Sequence, residues 1–165
     1  MRYVLNEPKV ALESFRHYLR GSKKIGKSQL FRDLILEYYG DAKYGLMIAP
    51  GNETGFKALD NLFAIEAQTW EDFCDIVDDL VLHKEDNEFK IVAIDTVDEL
   101  INIAEEKVLK IHYQRKGEKA TSINGALGGY GAGKKMLRKL INDKIKELES
   151  AGYENNRMPL LCGNI

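Results

Sequence analysis

The sequence predicts an α/β fold of three layers, built on a mainly parallel sheet of about five strands. Three observations carry that expectation. Short apolar, β-branched runs alternate with amphipathic helical stretches, and strands joined through helices pair in parallel. Gly21-Ser22-Lys23-Lys24-Ile25-Gly26-Lys27-Ser28 spells G-x-x-x-x-G-K-S, a phosphate-binding loop that joins a strand to a helix. Phe89-Lys90-Ile91-Val92-Ala93-Ile94-Asp95 is an apolar run closed by a carboxylate. That is the form of a buried parallel strand whose C-terminal end faces a ligand.

Taken in order, Ser14 to Arg20 is the strand expected ahead of the loop. Such a strand is normally central and apolar on both faces, so Arg16, His17 and Arg20 belong at its ends or on a thinly covered side. From Gln29 to Tyr39 the residues Leu30, Phe31, Leu34, Ile35 and Tyr38 fall at helical spacing, with Gly40 as the residue that ends the helix. Tyr44 to Ala49 reads as a second strand, broken by Pro50-Gly51, and Asn61 to Ile65 as a third. Thr69-Trp70-Glu71-Asp72 has the shape of a capping box and opens a helix with Phe73, Ile76, Val77, Leu80 and Val81 on one face. After the strand ending at Asp95, Thr96-Val97-Asp98-Glu99 starts another helix through Leu100, Ile101, Ala104, Val108 and Ile111. A polar, glycine-rich loop follows from Lys116 to Gly133. The final helix carries Met136, Leu137, Leu140, Ile141, Ile145 and Leu148 and stops at Gly152. Met158 to Cys162 is a fifth strand, which Pro159 moves toward an edge. No internal repeat or second domain is expected, so residues 1–165 form a single nucleotide-binding domain with its core at about 14–152.

Composition narrows the function classes. Twenty-four basic and 26 acidic residues give a net charge of −2, so no global basic field argues for nucleic acid. Cys74 and Cys162 lie far apart without metal spacing and suit buried thiols in a reducing cytoplasm. No apolar run approaches a membrane span, and Met1 to Ala11 lacks a signal-peptide core.

The chemistry concentrates in two places. Gly21 and Gly26 let the backbone of the loop curl so that its N–H groups point at phosphate oxygens. The candidate nucleotide-binding residues are Gly21, Ser22, Lys23, Lys24, Ile25, Gly26, Lys27, Ser28 and Gln29. Lys27 reaches the β- and γ-phosphates and thereby serves catalysis, while the Ser28 hydroxyl ligates Mg²⁺. The second place is Asp95, which holds the same Mg²⁺ directly or through water. Gly128-Gly129-Tyr130-Gly131-Ala132-Gly133-Lys134-Lys135 imitates the first loop, yet no strand precedes it and Lys135 replaces the metal-ligating hydroxyl. It reads as a solvated flexible loop, or as a nucleic-acid contact in which Tyr130 stacks on a base and Lys134, Lys135, Arg138 and Lys139 meet phosphates. The guanine-reading pattern N-K-x-D does not occur, which favours ATP.

These segments, with Leu46-Met47-Ile48 leading to Glu53-Thr54-Gly55, the Thr69-Trp70-Glu71-Asp72-Phe73 start and Tyr130-Gly131 before the last helix, resemble the RecA-like, AAA-type P-loop ATPases of phages and prophages. The resemblance covers most of Phe15 to Gly152. It implies Mg²⁺-dependent ATP hydrolysis in DNA recombination or replication, inside a bacterial host cytoplasm. It also implies single-stranded DNA or a single-strand annealing protein as partner, self-assembly, and no membrane. In such ATPases a glutamate past the second strand polarises the attacking water, and Glu53 holds that place here. They usually continue into an apolar strand with a γ-phosphate sensor, whereas this chain runs Asn155-Asn156-Arg157-Met158-Pro159-Leu160-Leu161-Cys162-Gly163-Asn164-Ile165. The fold is either truncated there or divergent in its last strand. An ATPase, a nucleotide-binding interaction module without significant hydrolysis and, more weakly, a small-molecule kinase therefore stand as readings.

Overall fold

A computed structural model of the chain describes residues 17–152 and 158–163. Its elements are β1 (His17–Arg20), α1 (Lys27–Tyr39), β2 (Gly45–Pro50), β3 (Phe63–Ala67), α2 (Trp70–Leu82), β4 (Ile91–Asp95), α3 (Val97–Lys116), α4 (Ala132–Gly152) and β5 (Met158–Gly163). Short 3-10 turns lie at Ala42–Tyr44, Gly55–Ala58 and Ala126–Gly128. The strands form one parallel sheet in the order β1-β5-β4-β2-β3.

The period-two alternation of β2 and β4 divides the core. Leu46, Ile48, Val92 and Ile94 point to one face and pack with Trp70, Phe73 and Val77 of α2, Leu100, Ile103 and Ala104 of α3 and Leu148 of α4. Met47, Ile91 and Ala93 point to the other and meet Phe31 and Ile35 of α1. Both strands are buried along their whole length, as a doubly covered parallel strand requires. Each fully buried side chain of this kind contributes about 1.5–3 kcal/mol. Three helices cover one face, and among the described residues α1 alone covers the other.

The helix ends follow the sequence signals. In α2 the Thr69 hydroxyl accepts from the Asp72 N–H at 3.1 Å and the Asp72 carboxylate accepts from the Thr69 N–H at 2.8 Å. Both halves of the capping box are thus made. Thr96 caps α3 by accepting from the Glu99 N–H at 3.4 Å, and Gly40 ends α1 in the left-handed region. Charged pairs tie the helices together, with Lys107 2.6 Å from Glu71 and Lys144 2.6 Å from Asp78.

Three expectations need correction. β1 is an edge strand of the described sheet rather than a central one, with Tyr18 and Arg20 exposed and Leu19 packed against the α1 side. That position explains how a strand in this place carries His17 and Arg20; Ser14 to Arg16 lie outside the described residues. β5, expected toward an edge, instead lies between β1 and β4. Its described pairing with β1 begins at Leu160, so Pro159 faces a partner only on the β4 side, at Val92. A missing N–H there breaks no described rung to β1. β3 runs two residues later than Asn61 to Ile65, because Asn61 takes a left-handed φ of 51° and belongs to the preceding turn. Met1 to Ala11, Asn155 to Arg157 and the last two residues lie outside the described residues. No helix among the described residues is long and apolar enough to cross a membrane.

Candidate functional site

Gly26 stands at the start of α1 with φ 96° and ψ 20°, a left-handed conformation that glycine reaches at little steric cost. The turn it makes aims the helix start at the C-terminal edge of the sheet. Leu30 N–H makes the first intrahelical bond, to the Gly26 carbonyl at 2.8 Å. Helix geometry gives the amides ahead of it no intrahelical acceptor, the N-cap Gly26 brings no side chain to them, and the first turn holds no acid. A 13-residue helix therefore presents its positive end to the same edge.

There a cleft of about 400 Å³ opens, lined by the phosphate loop, the turn after β2 and the end of β4. The structure brings Lys23, Lys24, Gly26, Lys27, Ser28, Gln29, Glu53 and Asp95 together around it. Three residues of the loop motif stand apart. Gly21 and Ser22 turn their carbonyls to Lys27, whose ammonium donates to them at 3.0 and 3.1 Å. The Ile25 side chain is 68% exposed.

Across the cleft floor the Ser28 hydroxyl donates to Asp95 Oδ2, joining residues 67 positions apart. Asp95 is only 3% exposed. Burial pushes its carboxyl above the ordinary carboxylate range; the Ser28 hydrogen bond and Lys27 oppose the rise, and the like charge of Glu53 adds to it. A cation beside this hydroxyl and carboxylate would reverse the burial effect, and both groups are hard oxygen donors of the kind Mg²⁺ takes alongside phosphate oxygens and water. The Asp95–Thr96 peptide bond is cis.

Glu53 is half-buried, and its Oε1 accepts from the N–H groups of Thr54 and Gly55 at 3.1 and 2.9 Å. The carboxylate is thus oriented by its own turn. Gly51 sets that turn, with φ 61° and its N–H bonded to the Ala67 carbonyl at 2.8 Å. A Cβ at Gly51 would come within 2.5 Å of Glu99, so α3 packs directly on the turn that carries Glu53.

Asn52, Thr54 and Thr96 also line the cleft and were not singled out by sequence. The polar turn Pro50 to Gly55 held a signal for the first two. Thr96 was legible only as a helix cap. The second glycine-rich segment is far from this place, at the other end of α3.

The sequence model of the AAA domain family matches residues 14–153, most of the chain. No curated protein matches it. A glycine-turned loop at a helix start, a lysine within it and a serine–aspartate pair below it are the parts that a nucleotide site of this class needs. The chain belongs to the AAA domain family and is a nucleotide-binding P-loop protein of the ATPase type.

Proposed function

We propose that the protein binds ATP with Mg²⁺ in this cleft and hydrolyses it, as one nucleotide-binding domain of the RecA-like kind. The observation that carries the reading is the hydrogen bond from Ser28 to the buried Asp95 beside Lys27. In this reading the amides at the start of α1 and the loop hold the phosphates, with Lys23 and Lys24 at the rim of the cleft. Lys27 exchanges the Gly21 and Ser22 carbonyls for β- and γ-phosphate oxygens. Ser28 and Asp95 hold Mg²⁺, which neutralises charge on the transferring phosphoryl group when bound. Glu53 orients the attacking water, its free oxygen aimed from a turn that the Thr54 and Gly55 amides fix.

The resemblance to phage and prophage ATPases supports a place in DNA recombination or replication, with single-stranded DNA or a single-strand annealing protein as partner. Self-assembly belongs to the same reading, since no arginine lines the cleft among the described residues and a second copy would supply one. One observation favours a nucleotide-binding module instead: Glu53 already spends one carboxylate oxygen on its own turn. Phosphate release with Mg·ATP, with and without single-stranded DNA, decides between the two. Turnover that Glu53→Gln abolishes supports hydrolysis, and tight binding without turnover supports the module.

A further inference from the structure

The segment between α3 and α4 lies outside the cleft, and its chemistry is unused by the reading above. In a chain of net charge −2, residues 119–142 hold five basic residues (Lys119, Lys134, Lys135, Arg138 and Lys139) and no Asp or Glu. The last four are exposed on the first turns of α4. Lys134 and Arg138, like Lys135 and Lys139, are spaced i,i+4, so the four cations share one side of the helix. None of them has an ion pair with a described residue.

Immediately before them stands Tyr130, its ring fully exposed. Gly128, Gly129, Tyr130 and Gly131 all have positive φ, between 49° and 98°. The base of this hairpin is fixed rather than loose. Ile123 and Ala126 are buried with Val108 of α3, and the Leu127 N–H donates to Nδ1 of the buried His112 at 2.9 Å. The backbone that leads to the ring and the four cations is therefore anchored to α3. α3 runs between this surface and the cleft: the first turns of α4 pack at Val108, about 18 Å along the helix from the Thr96 cap.

We propose that this surface binds a single-stranded polynucleotide, with Lys134, Lys135, Arg138 and Lys139 on phosphates and Tyr130 stacked on an unpaired base. A wholly exposed ring offers a π face to any base, and an unpaired base is what such a ring can reach. An anionic membrane would want a broader apolar face, whereas Tyr130 is the one large apolar side chain exposed in the loop and α4 among the described residues. The inference rests on the reading of the chain as an ATPase that acts with DNA and deepens it by assigning the surface.

The test is fluorescence anisotropy of a labelled oligothymidylate, with an oligouridylate in parallel and sedimentation with phosphatidylserine vesicles as a third arm. Four phosphate contacts predict a log–log salt slope near −2.8, about −0.7 per contact on a single strand. Lys134→Glu with Lys135→Glu weakens binding and flattens the slope by about 1.4. Tyr130→Asn, which suits a left-handed backbone, weakens binding about five- to 150-fold with the slope unchanged, and Tyr130→Phe keeps binding. All variants keep the wild-type melting temperature. Stronger binding of one oligonucleotide than the other identifies DNA or RNA as the natural strand. Oligonucleotide binding by wild type and by Lys27→Ala without any ATP turnover keeps this proposal and removes hydrolysis. Wild-type affinity in the charge-reversed and Tyr130→Asn variants overturns it, as does binding to vesicles alone, or loss of oligonucleotide binding in Lys27→Ala.

Discussion

Lys27→Ala isolates the one side-chain cation that the loop closes around. In the free protein the ammonium holds the Gly21 and Ser22 carbonyls at 3.0 and 3.1 Å. Binding trades those two bonds for phosphate oxygens at a similar distance. At about 3 Å and an effective dielectric near 20, one ammonium–phosphate pair is worth roughly 5–6 kcal/mol. The two surrendered bonds to a charged donor offset about 3 kcal/mol of that. The net, about 2–3 kcal/mol, corresponds to roughly 30- to 150-fold in affinity. The same substitution should lower the melting temperature only modestly: Ser22 is exposed and its carbonyl can take water, while the carbonyl of the buried Gly21 loses its charged donor. Titration calorimetry with Mg·ATP on wild type and variant measures the ratio directly. If the variant binds within threefold of a wild type that itself binds, Lys27 does not face the phosphates and the loop assignment fails.

The other expectations are narrower. Asp95→Asn keeps the shape that accepts from Ser28 but removes the charge, so hydrolysis should fall tenfold or more while metal-free nucleotide binding survives; equal rates across a Mg²⁺ titration refute the metal role. Glu53→Gln should lower single-turnover hydrolysis about a hundredfold with affinity intact, and a turn residue without a catalytic role would change neither. Burial pushes the Cys74 thiol up to about 11, with Lys144 opposing and Asp78, Glu147 and Asp75 adding to the rise. At pH 8 its thiolate fraction is then about a hundredth of that of a thiol at pKa 9, and site-resolved mass spectrometry should find iodoacetamide labelling of Cys74 slowed about as much. Labelling as fast as a small free thiol would contradict its burial.

Much of this was legible because the signals are local. A glycine that must take positive φ, a threonine with an acid three residues on, and two apolar strands each announce themselves within a few residues. Sheet order is not local. Arg16, His17 and Arg20 mark β1 as ill-suited to a central place without saying which strand it pairs with, and Pro159 argues against the inner position that β5 takes. The pairing of each depends on residues from the other end of the chain. The same limit applies to the α3–α4 segment. Its glycines and polar residues read as a loose loop, yet Ile123, Ala126 and a histidine one turn from the end of α3 are enough to anchor it. For Glu53 the position was readable and the orientation was not, since its partners are backbone amides.

The inner place of β5 decides how the phosphate loop is suspended. Among the described residues β1 touches the sheet through β5 alone, His17 against Leu160 and Arg20 against Gly163. The strand that leads into the loop is therefore held by a segment encoded far downstream. During synthesis β2, β3 and β4 can assemble with their helices well before that segment emerges, and the loop acquires its anchor only afterwards. In the finished protein the two ends are thermodynamically linked. A ligand that steadies the loop should hold β5 in the sheet, and whatever draws β5 away, such as a competing strand, a protease or a shortened chain, should slacken the loop without touching it.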